Sequence, residues 1–168
     1  MGLLCSVYTV HQNKFVCVGR KSLNLVYHLK TELMNTTTPP RILYVDDDTD
    51  DCFFLSTSLQ ESSSGTELVC AGNGEEAIQY LHSVPPSGLP ALIVLDLNMP
   101  RLDGRQVLSY LKEQPHLSGI PVVMLSTSDN KVYKDECTRL GAARFLKKPF
   151  HFDGYRDIVD NFIDLIRD

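Results

Sequence analysis

The chain has 168 residues, 43% of them hydrophobic and 22% charged; the length suits one domain with room for a tail, and the composition excludes a wholly disordered chain, a collagen or a disulfide scaffold. No apolar run approaches the ~20 residues needed to cross a bilayer. The net charge of −5 divides as +3 over residues 1–33 and −8 over the rest, and an acidic body argues against direct binding of nucleic acid, which needs clustered Lys and Arg.

The first six residues, Met1-Gly2-Leu3-Leu4-Cys5-Ser6, match an N-myristoylation pattern short enough to occur by chance. No basic residue precedes the apolar stretch and no small-x-small cleavage site follows it, so neither export nor a membrane partner is expected. Residues 7–33 hold no sustained period, and Met34-Asn35-Thr36-Thr37-Thr38-Pro39-Pro40 has the polar, proline-rich character of a domain edge. Residues 1–39 are therefore expected to be an N-terminal extension, either disordered or, before Met34, upstream of the true start. Residues 40–168 are expected to be the folded domain. The five cysteines, Cys5, Cys17, Cys52, Cys70 and Cys137, are odd in number and lack C-x-x-C spacing, which points to free thiols in a reducing, cytoplasmic compartment. His11, His28, His82, His116 and His151 show no metal-ligand spacing.

From Arg41 onward the pattern alternates. Ile42-Leu43-Tyr44-Val45, Ala91-Leu92-Ile93-Val94-Leu95 and Ile120-Pro121-Val122-Val123-Met124-Leu125 are continuous apolar runs, the mark of strands buried on both faces of a parallel sheet. Pro121 fits such a run only near its start. Residues 67–71 and 143–147 are weaker strand candidates. Helical stripes lie between them. Phe53, Phe54 and Leu59 mark 49–62, and Ala77, Ile78 and Leu81 mark 74–82. Gly104, Val107, Leu108 and Leu111 mark 103–114, and Tyr133, Cys137 and Leu140 mark 130–140 with Gly141 as the C′ residue. Tyr155, Ile158, Val159, Phe162 and Ile166 mark 152–167. Five strands alternating with five helices predict an α/β, doubly wound (βα)5 domain with right-handed crossovers.

Ligands in such sheets bind beyond the carboxyl ends of the strands. There the first strand ends in Asp46-Asp47-Asp48 and the third in Asp96-Leu97-Asn98-Met99-Pro100. The fourth ends in Ser126-Thr127 and the fifth in Lys147-Lys148-Pro149-Phe150. Three converging carboxylates repel unless a cation intervenes. Mg²⁺ suits a few carboxylates, water and a phosphoryl oxygen, and a lysine and a hydroxyl can hold the remaining phosphoryl oxygens. An aspartate so placed can act as nucleophile and form an acyl phosphate. Taken singly each feature is ordinary: Asp48 reads as a helix N-cap, Lys-Pro as a loop, a terminal Ser as uninformative. Their conjunction at four strand ends is not.

Ile42-Leu43-Tyr44-Val45-Asp46-Asp47, Leu95-Asp96-Leu97-Asn98-Met99-Pro100 with Asp103-Gly104, Met124-Leu125-Ser126-Thr127 and Lys148-Pro149-Phe150 together resemble the receiver domain of two-component response regulators. The resemblance covers residues 41–168. It implies a flavodoxin-like sheet of strand order 2-1-3-4-5, with Asp96 as phosphoacceptor and Asp47 and Asp96 as Mg²⁺ ligands. Asp46 would assist through water and Asn98 through its main-chain carbonyl. Ser126 and Lys148 would hold phosphoryl oxygens, Lys148-Pro149 would be a cis peptide that aims the lysine, and Phe145 would be the switch aromatic. The phosphoryl donor would be a sensor histidine kinase or a histidine phosphotransfer protein. With no effector segment after Ile166, the resemblance implies a stand-alone receiver whose output is a partner protein. That partner would bind the face of the fourth helix, fifth strand and fifth helix, including Lys131, Lys134, Phe145, Lys147, Phe150 and Tyr155. Ser126 replaces the commoner threonine, and Thr127 stands where a smaller residue is usual. A phosphatase of the haloacid-dehalogenase type would need an acid two residues after its nucleophile, and that position is Asn98. A receiver that binds without phosphorylation would have lost an acid or the lysine, and none is lost. A relay intermediate and an output protein are not separable by sequence.

Overall fold

The computed structural model describes residues 7–10, 14–17 and 39–167. The chain divides into two units, residues 1–38 and 39–168. In the first, Val7–Val10 pairs antiparallel with Lys14–Cys17, in a segment where the sequence carries no period. The myristoylation-like residues 1–6 and residues 11–13 and 18–38 lie outside the described residues.

In the second unit, strands β1 (Arg41–Val45), β2 (Glu67–Ala71), β3 (Leu92–Asp96), β4 (Val122–Ser126) and β5 (Arg144–Lys147) alternate with helices α1 (Thr49–Glu61), α2 (Gly74–Ser83), α3 (Gly104–Glu113), α4 (Lys131–Arg139) and α5 (Gly154–Arg167). All five strands are parallel, in the order β2-β1-β3-β4-β5. This is the doubly wound, flavodoxin-like sheet expected from the sequence. Every residue of the inner strands β3 and β4 is buried, because helices cover both faces. Pro121 lies just before β4, outside the run that must donate to the ladder.

The alternation of side chains sorts the core into two layers. Leu43, Val45, Ile93, Leu95, Val122 and Met124 meet Ala77 and Leu81 of α2, Val107, Leu108 and Leu111 of α3, and Cys137 of α4. Ile42, Tyr44, Leu92, Val94, Val123 and Leu125 meet Leu55 and Leu59 of α1 and Tyr155, Ile158, Val159 and Phe162 of α5. Local signals set the helix ends. Asp48 caps α1 by accepting from Asp50 N–H at 2.9 Å, and Asp103 forms a capping box with Gln106 at α3. Gly141 follows α4 at φ +94°, the left-handed C′ conformation that glycine adopts without strain.

The free-thiol expectation is corrected for one pair. Cys52 and Cys70 are joined by a disulfide with Cα atoms 6.5 Å apart. Packing α1 over the edge strand β2 brings together two cysteines whose separation of 18 residues carries no signature of its own. Cys137 is a free, buried thiol, as expected.

Candidate functional site

The carboxyl ends of β1, β3, β4 and β5 meet at one edge of the sheet. Asp46 follows β1 and Asp96 closes β3, both buried, while Asp47 is exposed. One carboxylate oxygen from each of the three lies within 4.8 Å of the others. Ser126, which closes β4, is fully buried. Lys148 follows β5, its N–H bonded to the Ser126 carbonyl at 2.8 Å, so the β4–β5 ladder fixes where the lysine leaves the sheet.

Each carboxylate is differently held. Asp96 Oδ2 accepts the Asn98 N–H at 2.8 Å, while Oδ1 faces the Lys148 ammonium at 3.6 Å. Asp46 accepts from the Tyr44 hydroxyl at 2.5 Å and from the Asp48 N–H at 3.0 Å, and pairs with Lys148 Nζ at 2.7 Å. Burial, with the charge of Asp46 beside it, pushes the Asp96 carboxyl above its ordinary range, although Lys148 and the Asn98 N–H pull the other way. Burial alone would lower the Lys148 ammonium. Hydrogen bonds to Asp46 and Asp51 and the charges of Asp46 and Asp96 outweigh it, so its pKa stands above the ordinary lysine value. The Ser126 hydroxyl accepts the Ser128 N–H at 3.1 Å.

Gly104 positions the phosphoacceptor loop. A Cβ at this residue would lie 2.1 Å from the Asp96 main-chain oxygen, so only glycine lets α3 begin this close to the end of β3. Its N–H bonds the Leu97 carbonyl at 3.2 Å, closing the loop that carries Asn98. Of the other expected residues, Asn98 is exposed. Phe145 is half-buried against the layer that includes α4.

Two expectations are corrected. The Lys148-Pro149 bond is trans, as are all peptide bonds among the described residues. The lysine reaches its carboxylates from the commoner isomer, aimed by the ladder and by its ion pairs. Tyr155 does not line the α4-β5-α5 face. It is 1% exposed and packs inward with Phe54, and its hydroxyl donates to Asp51. A tyrosine inside an apolar stripe needs a polar partner, and here that need draws it toward the acid cluster.

Sequence reasoning missed Asp51. Its carboxylate forms an ion pair with Lys148, and its side chain is 15% exposed. In the first turn of α1 it reads as one more acid favoured by the helix dipole. The overlooked signal is its spacing: Asp51 stands four residues before the fully buried Leu55, on the core-facing side of α1. Tyr44, the other unforeseen member, sits in a sequence run that marks only an apolar strand, and its hydroxyl reaches Asp46.

An all-oxygen set of two buried carboxylates and one exposed one matches the preference of a hard divalent cation. Among the described residues, no helix is long and apolar enough to cross a membrane. The family description "Response regulator receiver domain" matches residues 42–160. Response regulator Rcp1 of Synechocystis sp. is 38% identical over 103 residues, 59% of this chain and 70% of that protein. The transcriptional regulatory protein PhoP of Bacillus subtilis is 34% identical over 66% of this chain, which spans only 42% of PhoP. The crystal structure of the Mn²⁺-bound form of Rcp1 aligns with a TM-score of 0.68 at 32% identity, covering 75% of this chain and 96% of that one. The phosphorylated cyanobacterial phytochrome response regulator RcpA aligns with a TM-score of 0.68 at 33% identity, covering 74% and 91%. With its five-stranded sheet, its strand-end acids and its lysine, the chain belongs to the response regulator receiver domain family of two-component signalling proteins.

Proposed function

We propose that Asp96 accepts a phosphoryl group from a histidine kinase or histidine phosphotransfer protein in a Mg²⁺-dependent step, and that the phosphorylated domain, residues 40–168, changes its partner binding at the face of α4, β5 and α5. The observation that carries this reading is the setting of Asp96: a buried carboxylate at the end of a central strand, one oxygen held by a main-chain N–H and the other turned toward a buried ammonium. An Asp96 oxygen attacks phosphorus as the bond to the phosphohistidine nitrogen breaks. The imidazole leaves with the bonding pair and takes a proton from water. Lys148 balances charge on the phosphoryl oxygens as they leave solvent.

Asp46, Asp47, Asp96 and the main-chain carbonyl of Asn98 would hold Mg²⁺, which when bound supplies electrostatic stabilisation of the transferred group. The Ser126 hydroxyl would exchange the Ser128 N–H for a phosphoryl oxygen, and Phe145 would follow into the space behind it. The face so altered carries Lys131, Lys134, Lys147 and Phe150. The Phe150 ring is 71% exposed, with the Lys147 ammonium 5.5 Å from its centroid.

The test is intact mass after incubation with acetyl phosphate and Mg²⁺. One phosphoryl increment is expected on the wild type and none on Asp96→Asn, whose amide is not a nucleophile. An adduct retained by the variant would place the chemistry elsewhere.

A further inference from the structure

The Lys148 ammonium does not rest against the phosphoacceptor. Its close partners are Asp46 at 2.7 Å and Asp51, while Asp96 stands off at 3.6 Å. The two close partners are not equivalent. Asp46 has other support from the Tyr44 hydroxyl and the Asp48 N–H. The Asp51 carboxylate has one further side-chain partner, the Tyr155 hydroxyl. Asp51 is also rigidly placed. It lies in the first turn of α1, three residues after the capping Asp48 and beside Cys52, which is bonded to Cys70 of β2. Tyr155 opens α5 and is locked by the Phe54 ring at 5.8 Å, which in turn meets Phe152 at 5.8 Å. A chain of close polar contacts thus runs from Lys148, which faces Asp96 at 3.6 Å, through Asp51 to Tyr155 and the start of α5.

We propose that Asp51 is a positioning residue for phosphoryl transfer: it holds the Lys148 ammonium off Asp96 in the resting protein, and its release when Lys148 turns to the phosphoryl group is passed through the Tyr155 hydroxyl to α5. This rests on the reading of Asp96 as phosphoacceptor. The physical argument is competition for one cation. A phosphoryl group on Asp96 adds anionic oxygens beside an ammonium already shared among three carboxylates, and Lys148 can approach them fully only by loosening a contact. The contact that yields is Asp51, because carboxylate oxygens of Asp46 and Asp96 lie within 4.8 Å of each other, so a lysine that turns to Asp96 stays beside Asp46. The Tyr155 hydroxyl, whose acceptor then loses its cation, changes its hydrogen bond. That places a second signal on α5, on the side of the sheet opposite Phe145.

Beryllofluoride, which forms a tetrahedral phosphoryl mimic on carboxylates, tests this without dependence on turnover. It is titrated with Mg²⁺ into the full chain while the Tyr155 ring resonances are followed by NMR. Removing the competing anion in Asp51→Asn, an isosteric change, should lower the half-saturating concentration by about three- to tenfold, the range of one exchanged hydrogen bond. Tyr155→Phe, which keeps the packing but removes the hydroxyl that shares the Asp51 carboxylate with Lys148, should give a smaller shift in the opposite direction. The Tyr155 ring signals should move on saturation in the wild type and stay fixed in Asp51→Asn. Asp51→Ser is the second variant, expected to match Asp51→Asn if charge and not shape is responsible. Unchanged or weaker binding by both Asp51 variants, or wild-type Tyr155 signals that ignore the mimic, would overturn the role of Asp51 while leaving Asp96 as phosphoacceptor. A wild type that takes neither acetyl phosphate nor beryllofluoride would overturn both readings together.

Discussion

Lys148→Met keeps most of the side-chain stem and deletes the charge. The ammonium is 10% exposed, and its partners Asp46, Asp51 and Asp96 are 1%, 15% and 9% exposed, so solvent screens these pairs little. Removing one partner of a buried ion pair costs about 3–5 kcal/mol, because the charge left behind has lost its compensation. Here three carboxylates lose a shared cation, so the metal-free variant should fall in that range. The Lys148 ammonium is held above the ordinary lysine value of 10.5 in the folded protein. Its contribution is therefore complete at neutral pH and would be lost only as pH climbs above that value. Urea unfolding in the presence of a chelator measures the loss. With a slope near 2 kcal/mol per molar, the midpoint should drop by roughly 1.5–2.5 M. Adding Mg²⁺ should close part of the gap, since the ion supplies to Asp46 and Asp96 the positive charge that the lysine no longer does. A midpoint within about 0.3 M of the wild type in chelator would refute the reasoning, since the acid cluster would then be stable without its ammonium.

Three further perturbations separate the parts of the site. Asp47→Ala should lose most Mg²⁺ affinity in a calorimetric titration while leaving the fold intact, because Asp47 is exposed and makes no side-chain ion pair among the described residues; unchanged affinity would put the ion elsewhere. Gly104→Ala should destabilise by about 1–3 kcal/mol or more through overpacking against the Asp96 carbonyl, seen as a lowered unfolding midpoint, and should slow phosphorylation by displacing the phosphoacceptor loop. Thr127 is exposed one residue past the end of β4, and its stiff, β-branched side chain is expected to crowd the approach of water to a phosphoryl group on Asp96. Thr127→Ala or Thr127→Gly should speed loss of the phosphoryl group several-fold, less than about 1.4 kcal/mol of barrier; equal or slower decay in both variants would show that Thr127 does not gate the water.

By itself the sequence determined the layered α/β architecture. The apolar runs at 42–45, 92–95 and 122–125 can be buried on two faces only in a covered parallel sheet. The caps at Asp48 and Asp103, and Gly141 after α4, are local chemistry within one turn of chain, so they too were legible. The convergence of Asp46, Asp47, Asp96, Ser126 and Lys148 followed once the strands were parallel, since their carboxyl ends must then share an edge. What the tertiary structure decided are contacts between faces of different elements. Which side of the sheet α1 and α5 share brings Tyr155 beside Asp51 across 104 residues, and it decides that α1 lies close enough to β2 for Cys52 to meet Cys70. It also gives Lys148 two close acids other than the phosphoacceptor, reached through a trans bond to Pro149. Periodicity records which side of an element is buried; it carries no record of the partner that lies against it, and the distribution of one ammonium among several carboxylates depends on that partner.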